Sequence, residues 1–291
     1  MIESGQTYRR SEKKRYSNEP GRSVSRYLAF FIAIALMMVA GTYALKNTIL
    51  NVKVAVAEVT KTVYVKQATS TLNSVVAALA SQNNIPTSLT ANLVTKEQVK
   101  TDLATVTRNI YAGKSEIIDS SLIKKQIEKN LTKKAASVGI ATDNVVYQSA
   151  QNTFLSGMST YITTKINATP AAKLPKVIVN VKKTTNLIFI IGIIAFVVLS
   201  LLLIIHDRSI FRLSYYWGIS AIWGGIVLAA SAFLIGNSEI PNKVASAADQ
   251  ASGLIGTLLQ TTFEQIQSYG LILLGVGVVL FVLGLLRRIM R

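Results

Sequence analysis

The sequence predicts an all-α membrane protein with four transmembrane helices and a helical-bundle extracytoplasmic domain inserted between helices 1 and 2. Four apolar segments are each long enough for a bilayer core of roughly 30 Å, which takes about 20 residues of helix. None of the four contains Asp, Glu, Lys or Arg. A long polar stretch separates the first segment from the second, and its apolar residues recur at helical spacing.

The first 26 residues form a basic tail with seven Lys and Arg residues against three Glu residues. A basic flank before a first membrane helix is the usual mark of the cytoplasmic side, so we expect 1–26 there. Arg9 to Arg15 could instead be a nucleic-acid arm, but the orientation interpretation is favoured and no nucleic-acid partner is expected.

The first apolar segment, 27–45, is predicted to be transmembrane helix 1. Ala55, Val56 and Ala57 have the small-x-small pattern of a signal-peptide cleavage site, which leaves a cleaved secretory signal as the alternative. The triplet lies about ten residues beyond the apolar run, and the run is long for a signal. We favour an uncleaved anchor.

The stretch 46–186 is predicted to be an extracytoplasmic helical domain. Valines at helical spacing predict one helix that runs outward from the first span to about Ser81. Val52 to Val56 and Val177 to Val181 also alternate like strands, so a short antiparallel ribbon is the alternative. Two helices are favoured because the helical spacing continues over a longer stretch.

Three further helices follow in this domain. Thr95 and Gln98 form a capping-box pattern, and Gly113 stands where a helix commonly stops. The next helix is predicted to begin near Ser120 and to end at Gly139. A fourth opens at Thr142 or Asp143. Its apolar side is predicted to be core rather than a cofactor site, and it carries Tyr147, Phe154, Met158 and Tyr161.

The rest of the chain alternates spans with short polar segments. Because both ends are basic, both termini are predicted to be cytoplasmic in a multi-pass plasma-membrane protein. The predicted segments are transmembrane helix 2 at 187–205, a cytoplasmic loop at 206–214, transmembrane helix 3 at 215–236, an extracytoplasmic amphipathic loop at 237–268, transmembrane helix 4 at 269–286 and a cytoplasmic end at 287–291. A helix after Pro241 is expected to run into the last span.

Residue types exclude several kinds of chemistry. The chain has no cysteine and one histidine, His206, which rules out thiolate metal sites and histidine-rich sites. We predict no catalytic residue, cofactor or metal. A Ser and Lys dyad stays open on residue types but no pair is singled out, so a non-enzymatic protein is favoured and an enzyme ranks third. The absence of charge inside the spans argues against a proton-coupled transporter, because proton relays within a bilayer are built from ionisable side chains.

Small residues recur every seventh position in the last two spans. Seven residues are close to two helical turns, so each set lies on one helix face and allows another backbone to approach. Packing of the third span on the fourth is the favoured interpretation, and contact with a second membrane protein is the alternative. The stripes comprise Gly218, Gly225 and Ala232, and Gly270, Gly277 and Gly284.

Lysines cluster on the predicted third helix of the inserted domain. They are Lys124, Lys125, Lys129, Lys133 and Lys134. The cluster is interpreted mainly as a solubilising surface. Its functional interpretation is contact with an anionic surface, either membrane lipid headgroups or an anionic cell-wall polymer.

In the order of its spans and loops the chain resembles the permease-like subunits of ABC-type envelope complexes. This resemblance of topology implies the membrane subunit of a transport or export complex, although no family motif matches residue by residue and the loop at Asp207 to Arg212 is short for docking an ATPase. The favoured prediction is a non-enzymatic protein that senses or scaffolds at the bacterial cell envelope through its outer domain.

Overall fold

The computed structural model describes residues 20–83, 85–167, 170–246 and 251–289. These residues form α-helices joined by short turns, without a strand among them, which confirms the all-α class. The helices are α1 Pro20–Asn47, α2 Val52–Val59, α3 Thr62–Gln82, α4 Thr87–Thr90, α5 Lys96–Ala112, α6 Ser120–Ser137, α7 Val145–Asn167, α8 Leu174–Asp207, α9 Ile210–Gly236, α10 Ile240–Ser246 and α11 Ser252–Ile289. A 3-10 turn at Pro170–Lys173 precedes α8.

The chain divides into two compact units. The membrane unit takes in residues 1–46, 184–241 and 259–291. The helical domain takes in 47–183 together with 242–258.

Within the residues that the structure describes, four helices are long and apolar enough to cross a membrane. Each contains one of the four predicted apolar segments, so the four-span expectation is confirmed at the level of helices, which suggests a membrane protein. The helical stretches that qualify are Ser23–Asn47, Leu174–Asp207, Ile210–Gly236 and Ser252–Leu286.

Small residues bring α1 close to two other helices of the membrane unit. The Ser220 hydroxyl on α9 donates a hydrogen bond to the Ala29 carbonyl on α1 at 2.7 Å. A Cβ added at Gly192 on α8 would lie 3.0 Å from a methyl carbon of Val39. These contacts need small side chains at the crossing points, as is usual between helices in lipid.

The predicted continuous helix from the first span to Ser81 was wrong, because the chain breaks twice. Asn51 caps α2 by accepting a hydrogen bond from the Lys53 amide at 2.9 Å. Thr60 ends the same helix, and its hydroxyl donates to the Val56 carbonyl at 2.7 Å. Polar side chains of this kind compete for backbone groups and stop a helix that the valine spacing alone would continue.

Both alternating valine stretches are helical. Val52 begins α2, and Val177 to Val181 lie inside α8. The ribbon alternative is therefore excluded. The valines share helix faces, which is the interpretation that the sequence favoured.

Local capping signals predicted both ends of α5 to within one residue. The Thr95 hydroxyl accepts from the Gln98 amide at 3.3 Å, and the Gln98 side chain accepts from the Thr95 amide at 3.1 Å. Gly113 ends the helix in the left-handed region at φ +77°. The capping box and the glycine stop are both confirmed.

The next two helices begin close to their predicted starts. Asp119 caps α6 by accepting from the Ser121 and Leu122 amides. Helix α7 begins at Val145, slightly later than predicted, because Asn144 is the residue whose side chain accepts from the Val146 amide at 2.9 Å.

Helices α3 to α7 enclose the core of the helical domain, with α6 packed against α7. Phe154 and Met158 are almost fully buried, and Tyr147 packs at the edge of the core. The predicted core role of these three residues is confirmed, whereas Tyr161 is half-buried and lies outside this cluster. The other buried members include Val76, Leu93, Val99, Leu131 and Leu155.

The predicted tail and amphipathic loop each differ in part from the structure. Helix α1 already begins at Pro20, so the end of the predicted tail is helical, and residues 1–19 lie outside the described part. Helix α10 begins at Ile240 and already contains Pro241, and it is the separate helix α11 that runs into the last span. Residues 247–250 of the predicted amphipathic loop lie outside the described residues.

Candidate functional site

The two glycine stripes face each other along α9 and α11. A Cβ added at Gly225 would lie 2.6 Å from the Gly270 carbonyl oxygen, and one added at Gly218 would lie 2.9 Å from the Gly277 carbonyl oxygen. A Cβ at Gly284 would lie 2.6 Å from the Tyr215 backbone nitrogen. These separations are shorter than real Cβ contacts, so a hydrogen atom is the largest group that fits. The close approach is internal to the chain.

The ends of the interface are fixed by other contacts. Ala232, the last member of the α9 stripe, is buried. A Cβ added at Gly270 would lie 2.7 Å from the Ala229 backbone nitrogen. The rings of Tyr215 and Phe281 lie 5.2 Å apart between their centroids. Aromatic packing of this kind supports a fixed register between α9 and α11.

The five-lysine cluster on α6 divides into two groups. Lys125, Lys129 and Lys133 are exposed and lie four residues apart, so they form one row on the helix. The opposite face of α6 carries Ile127, Leu131 and Ala135, all buried in the core. The core thus directs this row, which we call the basic row, toward solvent.

The two remaining lysines flank the buried face. Lys124 and Lys134 are half-buried. The Lys134 ammonium donates a hydrogen bond to the Ala91 carbonyl at the end of α4, and so takes part in packing. The structure therefore places three of the five predicted contact residues on one exposed surface and the other two beside the core.

The turn between α8 and α9 carries an ion pair that the sequence analysis did not predict. The Arg212 guanidinium lies 3.9 Å from a carboxylate oxygen of Asp207, whose side chain is 6% exposed. Arg208 turns the chain in the left-handed region at φ +45°. His206 is exposed at the end of α8.

Perturbed ionisable groups in the helical domain are explained by packing and capping. Burial raises the pKa of Asp102, partly offset by a hydrogen bond that Gln126 donates. Burial also raises the pKa of Tyr111, whose hydroxyl donates to the Ile49 carbonyl. Hydrogen bonds from the Ser121 side chain and from the Leu122 and Ser121 amides lower the pKa of Asp119, the α6 cap.

Within the described part of the chain, no group of three or more His, Cys, Asp or Glu side chains could hold a metal ion. The features that remain are the basic row on the helical domain and the glycine interface of the membrane unit.

Comparison with protein-family models, with curated proteins and with solved structures gives no match to this chain.

Proposed function

We propose that this chain is a non-enzymatic integral protein of the bacterial plasma membrane. Its helical domain lies outside and senses or scaffolds at the cell envelope by binding an anionic surface. The observation that carries the proposal is the basic row, Lys125, Lys129 and Lys133, on a domain with its own hydrophobic core. Phosphate groups of lipid headgroups or of a wall polymer supply the complementary charge.

Charge balance supports this choice of partner. Residues 47–183 contain 17 basic and 7 acidic side chains, with lysine far in excess of arginine. The basic row spans about 12 Å, at 1.5 Å per helical residue. Positive charge concentrated on one face attracts a polyanion and raises its rate of association.

The basic ends of the chain support an outer location. Short cytoplasmic segments next to membrane helices are enriched in Lys and Arg, whereas long domains cross the membrane regardless of their charge. The terminal clusters around Arg9 to Arg15 and Arg287 to Arg291 therefore weigh more than the lysines of the helical domain.

The test is binding by the full-length protein in phosphatidylcholine nanodiscs. The ligands are phosphatidylglycerol vesicles for the lipid source of phosphate and soluble polyphosphate for the polymer source. We expect binding to at least one, and steep weakening between about 0.1 M and 1 M salt, because the Debye length falls from about 10 Å to 3 Å.

Two triple variants distinguish an effect of the basic row from an effect of net charge. Changing Lys125, Lys129 and Lys133 to Gln should abolish binding. The control changes Lys96, Lys100 and Lys114 to Gln. These three lysines are also exposed, and replacing them removes the same amount of charge. Equal loss in both variants, or binding that persists at high salt, would count against the proposal.

A second candidate function is the permease-like subunit of a transport or export complex. The order of one span, a large domain and three more spans favours this second function. Its partners would be a second membrane protein and an ATPase. Purification from native membranes distinguishes the two functions. An ATPase that co-purifies in fixed stoichiometry supports this second candidate.

A further inference from the structure

The turn between α6 and α7 exposes four apolar side chains beside the basic row. Val145 is 78% exposed and Val146 is 74% exposed, and Val138 and Ile140 also face solvent. We call residues 138–146 the α6–α7 tip. Exposed apolar groups of this kind usually mark an interaction site.

Hydrogen bonds at both ends order the tip. At the end of α6 the Ile140 amide donates to the Ala135 carbonyl at 3.0 Å, and the Gly139 amide donates to the Ala136 carbonyl at 3.1 Å. Gly139 adopts φ +79°, as this helix-ending motif requires. At the start of α7, Asn144 accepts from the Val146 amide. The apolar side chains are thus presented by a defined turn.

Folding of the helix does not call for valines at this position. Val145 and Val146 occupy the first turn of α7, where β-branched residues have below-average helix propensity. Their exposure shows that neither contributes appreciably to the core. A role outside the domain accounts for them better than a role in its stability.

Charge next to the tip selects the kind of partner. The basic row ends at Lys133, five residues before Val138, and Asp143 is the one acidic residue within the tip. Exposed apolar groups flanked by lysines match the boundary of an anionic bilayer, where phosphates lie beside hydrocarbon. A soluble polyanion offers phosphate alone and would leave the valines in water.

We infer that the α6–α7 tip inserts its valines into an anionic lipid bilayer while the basic row binds the headgroups. This inference rests on the proposed function and selects lipid as the source of phosphate. It also assigns different roles to two sets of residues. The lysines set the affinity for negative charge, and the valines set the depth of insertion.

A fluorophore on the tip of the full-length protein in liposomes tests the inference. The chain has no cysteine, so Ala141→Cys accepts a single environment-sensitive label, and Ser70→Cys on the exposed face of α3 provides a control. In liposomes of equal parts phosphatidylglycerol and phosphatidylcholine, the label at 141 should shift to the blue and be quenched by nitroxide lipids. In liposomes of phosphatidylcholine alone, the label at 141 should behave as it does in water. The label at position 70 should behave as in water in both kinds of liposome.

The double variant Val145→Ser with Val146→Ser should reduce the inserted fraction at least about tenfold, because transfer of even part of two valines contributes that much. The same variant should bind polyphosphate as tightly as the parent. Insertion that is unchanged by these substitutions would overturn the inference, and so would parallel loss of polyphosphate binding.

The outcomes separate this inference from the proposed function. A label that stays in water in anionic liposomes, with salt-sensitive polyphosphate binding intact, overturns lipid insertion and leaves the proposed function standing. If the parent protein binds neither anionic liposomes nor polyphosphate, the inference and the proposed function are both overturned.

Discussion

Gly225 of α9 lies against Gly270 of α11 so closely that a Cβ built on Gly225 would lie 2.6 Å from the Gly270 carbonyl oxygen. The atom in the way is backbone, which cannot move aside as a flexible side chain can. The glycine interface is therefore intolerant of side chains. It joins two helices that are separated in the sequence by α10.

Changing Gly225 or Gly277 to Leu should lower the thermal stability of the purified protein. Overpacking typically costs about 1 to 3 kcal/mol, and contact with backbone favours the upper part of that range. Val227 and Val279, 47% and 60% exposed, are the matched control positions and should accept Leu. Equal tolerance at all four positions would mean that α9 and α11 do not meet along the stripes.

A fragment of residues 47–183 should fold without the membrane unit. The core comes from α3 to α7, and the chain has no cysteine with which to form a disulfide. Circular dichroism should give a helical spectrum and one cooperative thermal transition. A spectrum without cooperative melting would show that the domain depends on other parts of the chain.

Within that fragment, Leu131→Ala should reduce the free energy of unfolding by about 2 to 5 kcal/mol, the usual range for a buried leucine. Leu131 is 1% exposed. Leu122 lies on the same helix and is 51% exposed, so Leu122→Ala is the matched control and should change stability little. Chemical denaturation of both variants measures the difference, and similar losses would contradict the assigned faces of α6.

Thr95→Ala should destabilise the fragment by about 1 kcal/mol, since it removes the side-chain oxygen that caps α5. Thr105 is an exposed threonine in the middle of the same helix and serves as the control. Replacing it with Ala should be neutral or slightly stabilising, because Ala has the higher helix propensity. If the two substitutions have the same effect, the capping box does not stabilise the domain.

Local sequence signals predicted some elements better than others. Thr95, Gln98 and Gly113 fixed α5 because caps act within a few residues. The breaks at Asn51 and Thr60 were missed because the valine periodicity runs through them and outweighed the capping side chains. Neither the hydrophobic pattern nor local hydrogen bonding decides the helix boundary in every case.

The candidate surfaces were predicted in composition but not in arrangement. Seven-residue spacing identified the glycine stripes, but the pairing of Gly225 with Gly270 depends on register between two helices, which spacing within one helix does not encode. The α6 lysines were identified as a cluster. Their division into a basic row and two flanking residues follows from where the core lies. The exposure of Val145 and Val146 required the α6–α7 turn itself.

The central claim is that the helical domain lies outside the plasma membrane while both termini lie inside. Single cysteines at Ser17, Ser70 and Ser246, in the tail, the domain and the α10 segment, allow one decisive measurement because the chain has no other cysteine. An impermeant maleimide applied to intact cells should label positions 70 and 246, and should label position 17 only after the cells are permeabilised. Labelling of position 17 in intact cells, or protection of position 70, would contradict the account.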